Sequence, residues 1–336
     1  MPADAPPVVA PHRGLRRALA PFRHPAYRRL AVALVFSTFA SGVWAVAIVW
    51  DVIRFGGGPG QLSVVAAAGT LGVAAATGLR AFAVEEEKPA AAKKIPVGIQ
   101  LYTVRNECAK DLPATLAAIA KIGYKGVDFA GYHGRTAQQL RRLLDDNGLV
   151  CCGTHTGMNT LLGDELAKTI EFNKTIGNKY LVVPGGIGGR TKRGWLDAAA
   201  RFNDIAEKLK PEGMLCGYHN HAHEFQPIEG ETPWDIFYGA AKPEVIMQVD
   251  TGNCMGGGGD PVAILKKFPG RAITVHLKEF GANVIGEGKV DWKSVFDLCE
   301  TTGRTEWYIV EQDAPGEAPL DTAARCFENL KKMGKV

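Results

Sequence analysis

Eight short apolar segments separated by amphipathic stretches are the feature of this 336-residue sequence that most restricts its fold. We predict strands, in chain order, at residues 97–104, 126–130, 150–154, 180–183, 214–219, 245–250, 273–278 and 307–311. The segments between them have helix-start residues such as Asp111, Thr136, Asp260 and Asp291. Strands that alternate with helices form a parallel sheet, and eight such units predict a closed (β/α)8 barrel. An open doubly wound sheet is the alternative, but no G-x-G-x-x-G turn follows the first strand.

The first 90 residues differ from the rest of the chain. We divide the sequence into a basic tail (1–29), a hydrophobic segment that resembles a membrane span or signal (30–83), a linker (84–94) and the barrel (95–336). Leu30–Trp50 is an uncharged apolar run of 21 residues, long enough to cross a bilayer, and Gln61–Leu79 is a marginal second span. One or two hydrophobic helices are therefore expected before the barrel, with a membrane as a partner.

Two interpretations of this N-terminal region place the barrel on different sides of a membrane. The stretch FRHPAYRRLAVALVFSTFASGVWAVAIVWDVI resembles the first helix of a major-facilitator transporter, and the glycine loop after it resembles the turn into the second. Only two of the twelve helices of such a transporter are covered, so transport is not implied. Alternatively, Ala81-Phe-Ala83 is an A-x-A cleavage site at the end of an export signal. Two spans leave the barrel in the cytoplasm, whereas one span or a cleaved signal leaves it outside.

The charge and cysteine content exclude several classes of protein. Residues 1–30 contain six arginines and one aspartate, a balance of +5, so the net charge of +4 leaves −1 for the other 306 residues. A nearly neutral body does not predict a surface that binds nucleic acid. Seven cysteines, two of them adjacent at Cys151 and Cys152, fit no disulfide framework and are predicted to be buried thiols.

Ionisable residues end four successive predicted strands, where the active site of a (β/α)8 barrel lies. We assign His219, Asp250, His276 and Glu311 as ligands of one divalent metal ion. Two imidazoles and two carboxylates with open positions suit Mn²⁺, Co²⁺, Mg²⁺ or Zn²⁺ in a catalytic site. Because none of these ligands is a thiolate, the set does not resemble a structural zinc site. Each residue alone also fits a structural role, such as capping the next helix, so the prediction depends on all four sharing one rim.

Other polar residues at the same predicted rim complete the candidate site. The candidate catalytic residues are Glu311, His221, Lys278 and His155. The candidate substrate-binding residues are Gln100, Tyr102, Asp128, Asn220, Glu224 and Asn253. In GYHNHAHEF (217–225) three histidines alternate, but we expect the strand to end there and His223 to leave the site in a loop.

Six motifs in order carry a family resemblance across about Ile95–Lys335: VGIQLYTVR, GYKGVDFAGY, GYHNHAHEF, VDTGN, VHLKEF and IVEQD. They resemble the sugar phosphate isomerase/epimerase family, the xylose-isomerase-like TIM barrels that include inosose dehydratase, hydroxypyruvate isomerase and ketose 3-epimerases. The resemblance implies one divalent ion held by a Glu, an Asp, a His and a Glu from strands five to eight. In this chain these four positions are His219, Asp250, His276 and Glu311. His219 therefore departs from the usual glutamate, and Asn253 stands where many relatives have a histidine.

The resemblance implies proton abstraction α to the carbonyl of a small sugar through an enediolate, with the metal as Lewis acid. Glu311 is then the base, and His155, His221 or Lys278 returns the proton or assists a leaving group. We expect an isomerase or epimerase. Since only one of two family glutamates is present, a keto-sugar or keto-glycoside dehydratase or lyase is the alternative. A non-catalytic, membrane-tethered sugar-binding protein is a further alternative, and a homo-oligomer is possible.

Overall fold

The computed structural model describes Trp50, Arg54, residues 94–312 and residues 318–336. The predicted basic tail and the predicted spans lie outside these residues apart from Trp50, which is helical and exposed, as is Arg54. Both domain boundaries within residues 1–93 therefore stay predictions. Among the helices formed by the described residues, none is both long enough and apolar enough to cross a bilayer.

Eight parallel strands close into a barrel within the part of the chain that the structure describes. They are β1 (Val97–Gln100), β2 (Gly126–Phe129), β3 (Val150–His155), β4 (Tyr180–Val183), β5 (Leu215–His219), β6 (Ile246–Asp250), β7 (Thr274–Leu277) and β8 (Trp307–Val310). Each strand pairs with the next along the chain, and β8 closes the barrel against β1. The predicted (β/α)8 barrel is confirmed, and the open-sheet alternative is excluded.

Helices follow the strands and cover the barrel. They are α1 (Arg105–Ile122), α2 (Ala137–Asp146), α3 (Glu165–Ile176), α4 (Lys192–Leu209), α5 (Pro233–Ala240), α6 (Thr251–Gly256), α7 (Pro261–Lys267), α8 (Trp292–Thr301) and α9 (Pro319–Lys332). Three predicted N-caps are confirmed: the side chains of Thr136, Asp260 and Asp291 accept hydrogen bonds from backbone N–H groups of the first turns of α2, α7 and α8.

The chain departs from the predicted boundaries after β1. The strand ends at Gln100, and residues 101–104 form a 3-10 turn because the Gln100 side chain accepts the N–H of Tyr102 at 3.1 Å. α1 then begins at Arg105, earlier than predicted, but its backbone is non-helical at Asp111. The Asp111 carboxylate accepts the N–H of Ala114 at 3.0 Å, so a second helical segment does begin where the sequence indicates.

The core lies between the strands and the apolar faces of the helices. On one side, an aromatic cluster of Trp195, Phe202, Tyr218 and Phe237 joins β5 to α4 and α5, with ring centroids 5.1–6.5 Å apart. All seven cysteines are buried and free of disulfides, as the sequence predicts. This packing fixes the strands, and their carboxyl ends bring the candidate site residues together.

Candidate metal centre and active site

The four predicted metal ligands meet at the carboxyl end of the barrel. His219 ends β5, Asp250 ends β6, His276 lies within β7, and Glu311 follows β8. One potential ligand atom from each lies within 4.8 Å of the other three, and all four residues are buried. Asp250 and His276 are direct neighbours in the β6–β7 register. The geometry is that of a closed, buried cluster formed by four adjacent strands.

Asp250 is held so that one of its oxygens faces the cluster. Oδ1 accepts the N–H of Asn253 at 2.7 Å and thereby caps α6. The Asn220 side chain brackets the Asp250 backbone, accepting its N–H at 2.8 Å and donating to its carbonyl at 3.0 Å. Oδ2 is buried and has no hydrogen-bond partner among the described residues. The capping role and the ligand role are therefore compatible, because each uses a different oxygen.

His276 lies between two carboxylates. Its Nδ1 donates to Glu311 Oε2 at 2.7 Å, and its Nε2 donates to Asp128 Oδ2 at 3.0 Å. Metal-binding histidines usually donate their second ring N–H to a carboxylate, which orients the ring and increases its basicity. Asp128 takes this place at the end of β2, which leaves Nδ1 of His276 and Glu311 on the side of the cluster.

The protonation of the cluster follows from burial and from these contacts. Burial opposes the charged form of His276, but the hydrogen bonds to Asp128 and Glu311 outweigh it and raise the pKa of His276 to about 9. Burial also opposes ionisation of Glu311, yet the hydrogen bond and charge of His276 hold its pKa well below the usual value. Burial lowers the pKa of His219 well below its usual value and raises the pKa of Asp250 to about 7.

These properties fit a divalent metal ion. His219 Nδ1 and Asp250 Oδ2 are buried atoms without hydrogen-bond partners in the described part of the chain, and buried polar atoms are rarely left so. His219 is neutral, as a metal-binding imidazole must be. The protonated His276 carries a positive charge that a bound ion would replace. His219, Asp250, His276 and Glu311 would hold the ion.

Lys278 and His221 border the ligand cluster. The Nζ of Lys278 lies 3.6 Å from Glu311 Oε1 and 4.0 Å from Asp250 Oδ2. Gly252 makes room for this side chain, since a Cβ there would lie 2.8 Å from Cγ of Lys278. His221 follows β5 in a loop, with its ring centroid 5.1 Å from that of His219, and burial lowers its pKa. Both groups therefore lie directly beside the cluster.

The predicted substrate-binding residues fall into two sets. Gln100 and Asp128 are buried neighbours in the β1–β2 register, and Gln100 Nε2 and Asp128 Oδ1 have no hydrogen-bond partner within the described residues. Tyr102 lies at the rim, with nearly half of its surface exposed and the Arg105 guanidinium 4.3 Å from its ring centroid. Tyr102 therefore has side-chain surface available to a ligand, whereas Gln100 and Asp128 are buried, each with one unpaired polar atom among the described residues.

The side chains of the second set, Asn220, Asn253 and Glu224, make hydrogen bonds within the protein. Asn220 brackets Asp250, and Asn253 Nδ2 donates to the Asn220 carbonyl at 3.2 Å. Glu224 is fully buried and accepts hydrogen bonds from the Tyr218 hydroxyl and from the His221 N–H. These contacts hold the loop that carries His221. His223 lies in a short 3-10 turn after this loop and points largely to solvent.

Gln248 is not among the predicted site residues, although it connects much of the site. Its Nε2 donates to Asp128 Oδ2 at 3.1 Å and to Thr274 Oγ1 at 3.2 Å, and its Oε1 lies 2.7 Å from His155 Nε2. A signal was present, because Gln248 lies two residues before Asp250 and so shares its face of the strand. The amide carries no charge and therefore did not suggest chemistry.

Comparisons with known proteins agree with this architecture. A family described as xylose isomerase-like TIM barrel matches residues 116–330. A sugar phosphate isomerase/epimerase from Parabacteroides distasonis superposes with a TM-score of 0.65 at 23% identity, covering 72% of this chain and 99% of that one.

Two curated relatives are similar in sequence. The rhizopine catabolism protein MocC of Rhizobium meliloti is 25% identical over 266 residues, covering 66% of this chain and 81% of the relative. An inosose dehydratase of Clostridium tetani is 21% identical over 295 residues, covering 72% of this chain and 98% of the relative.

Proposed function

Because the chain belongs to the xylose isomerase-like TIM barrel family, we propose that it is a divalent-metal-dependent carbohydrate enzyme that removes a proton α to a carbonyl group. The observation that carries this proposal is the cluster of His219, Asp250, His276 and Glu311, in which one ionised carboxylate lies beside an ammonium group. A bound divalent ion would polarise the carbonyl and stabilise the enediolate as a Lewis acid.

Glu311 is the proposed base. Its low pKa keeps it ionised at neutral pH, and its Oε1 lies on the Lys278 side of the cluster. Lys278 then supplies positive charge close to the oxygen on which negative charge develops, a preorganised contribution from a buried side chain. Gln100 Nε2 and Asp128 Oδ1 are buried and lack partners among the described residues, which suits them to hold the hydroxyl groups of a sugar.

The first proposed reaction is isomerisation of a sugar between its aldose and ketose forms. A single carboxylate suffices for it, because the proton leaves one carbon and returns to its neighbour on the same face. Inversion at one carbon needs a second acid on the opposite face. His219 does not meet that need, since burial lowers its pKa and keeps the imidazole neutral.

The second proposed reaction is loss of water or of an alcohol from a keto-sugar. The 3.6 Å contact between Lys278 and Glu311 favours it, because an acid beside the base can protonate a leaving oxygen on the same face. Relatives named inosose dehydratase that align over 98% of their length also support this reaction.

Proton exchange in deuterated water tests the proposal. The full chain, loaded with Mn²⁺ or Zn²⁺, is incubated with a panel of aldoses, ketoses and 3-keto-glycosides and followed by proton NMR. Deuterium incorporation into an isomerised product supports the isomerase, and an unsaturated or deoxy product supports the lyase. The variant Glu311→Gln should abolish both, whereas Glu287→Gln, a surface carboxylate paired with Arg325, should abolish neither. Absence of exchange with every substrate, or exchange undiminished in Glu311→Gln, would overturn the proposal.

A further inference from the structure

A third imidazole lies against the ligand cluster. His155, at the end of β3, has its ring centroid 4.7 Å from that of His219 and 5.3 Å from that of His276. One ring nitrogen of each of the three histidines lies within 4.8 Å of the others, a second grouping able to hold a metal ion. The four ligands assigned above account for only two of these imidazoles, so the third needs an explanation.

The hydrogen bonds of Gln248 decide which nitrogen of His155 carries the proton. Because Gln248 Nε2 donates to Asp128 and to Thr274, the amide oxygen must face His155. An amide oxygen can only accept, so His155 Nε2 carries hydrogen and donates over 2.7 Å. Nδ1 of the neutral ring therefore keeps its lone pair. A histidine whose second nitrogen donates to a fixed oxygen has the arrangement typical of a metal ligand.

We propose that this centre is rich in nitrogen ligands, with His155 as an additional ligand, and that it selects a borderline ion such as Zn²⁺ or Co²⁺ over Mn²⁺ and Mg²⁺. The inference rests on the proposed function and names the ion class for the same site. Imidazole nitrogen favours zinc, cobalt and other later metals, whereas carboxylate and water oxygens favour magnesium and manganese. His219 supplies nitrogen from β5, and His155 adds another from β3.

The charge around the cluster favours the same ions. Asp250 and Glu311 are the only carboxylates in the four-residue grouping, and the Lys278 ammonium lies within 4.0 Å of both. Binding of a hard ion such as Mg²⁺ depends mainly on the negative charge of oxygen ligands, which this ammonium offsets. Binding of zinc through neutral imidazoles depends less on that charge.

Metal competition measures the selectivity directly, without any activity assay. The full chain is stripped with a chelator and titrated with buffered Zn²⁺, Co²⁺, Mn²⁺ and Mg²⁺, and the visible spectrum of the Co²⁺ form is recorded. Most nitrogen-containing sites bind zinc more tightly than manganese, so the test is the change in this preference between the wild type and its variants. His219→Glu should reduce the ratio of zinc to manganese affinity on the order of tenfold or more, and His155→Gln should weaken zinc on the order of tenfold and alter the Co²⁺ spectrum. His223→Gln, a largely exposed histidine that contacts Glu224 and lies outside both groupings, should change neither.

The outcomes separate this inference from the proposed function. If the wild-type chain binds none of the four ions, the metal-dependent function itself is wrong. If it binds them, but the ratio and the Co²⁺ spectrum are the same in His219→Glu and His155→Gln as in the wild type, nitrogen selectivity is refuted and the function stands. Circular dichroism of each metal-free variant confirms that the barrel is folded before its affinities are compared.

Discussion

The contact between Asp128 and His276 makes a prediction about how metal affinity depends on pH. The contacts with Asp128 and Glu311 raise the pKa of His276 to about 9, and its Nδ1 must lose a proton before it can bind an ion. The proton competes below that value, so the apparent affinity should rise about tenfold per pH unit between pH 7.5 and 9 and then level off. At pH 7 the competition costs about 100-fold in affinity.

The variant Asp128→Asn removes the charge that helps to hold this proton. Two effects then oppose each other. Loss of the carboxylate behind a ligating histidine should weaken intrinsic metal affinity by about 10–100-fold. The pKa of His276 should fall as well, which removes much of the proton competition near pH 7. The two effects largely cancel at neutral pH, and the weakening appears in full only above pH 9.

The substitution should leave the fold intact. His276 and Gln248 both donate to Oδ2 of Asp128, so a single amide oxygen can accept both. The amide nitrogen would replace Oδ1, which makes no hydrogen bond to a described residue. Chelator-buffered Co²⁺ titrations of the full chain from pH 7 to 9.5 measure the effect, with Asp145→Asn, an exposed residue paired with Arg141, as the matched control. Parallel pH curves for wild type and Asp128→Asn, with equal affinity above pH 9, would refute the reasoning.

Three further substitutions test the surroundings of the centre. Gly252→Ala places a Cβ 2.5 Å from the Glu279 carbonyl oxygen and 2.8 Å from Cγ of Lys278. It should therefore destabilise the protein by about 1–3 kcal/mol, measured as a lower melting temperature, and reduce kcat because Lys278 is displaced. Glu224→Gln weakens the acceptor of the Tyr218 hydroxyl and should lower the free energy of unfolding, measured in urea titrations, by about 1–3 kcal/mol. Unchanged stability would contradict the role of Glu224 in holding the loop that carries His221. Glu279→Gln weakens an acceptor of three backbone N–H groups and one indole N–H, and hydrogen exchange of residues 280–290 should increase against an unchanged barrel.

The barrel and the ligand cluster were predictable because both depend on short, repeated rules. His219 and Asp250 end their strands and His276 lies one residue before the end of β7, so all three side chains lie at one edge of the parallel sheet. Closure of β8 on β1 follows from the count of eight units. Glu311 is the first residue after β8, so its position at the same edge also follows from the end of its strand.

The hydrogen-bond network behind the ligands was not predictable in this way. Whether Asp128 faces a substrate or supports His276 depends on the direction of one side chain across the barrel, between residues 148 positions apart. Glu224 was predicted near the substrate, yet its carboxylate is engaged by Tyr218 and His221 because the chain turns back at the 3-10 segment 223–225. A sequence gives the order of strands, but such turns and side-chain directions depend on tertiary packing.

The single glutamate of the cluster restricts which reactions the proposed mechanism can support. Glu311 and Lys278 lie 3.6 Å apart, so in the proposed reaction both would meet the substrate from one side. His219, at the end of β5, is neutral and makes no hydrogen bond through Nδ1 to any described residue, so it is suited to hold an ion rather than to deliver a proton. A reaction that moves a proton along one face, or removes a proton and a hydroxyl from the same face, is compatible with this arrangement. Inversion of one carbon requires a second proton donor, so the proposed mechanism predicts that it is slow. His219→Glu, which adds a second glutamate to the cluster, should increase its rate.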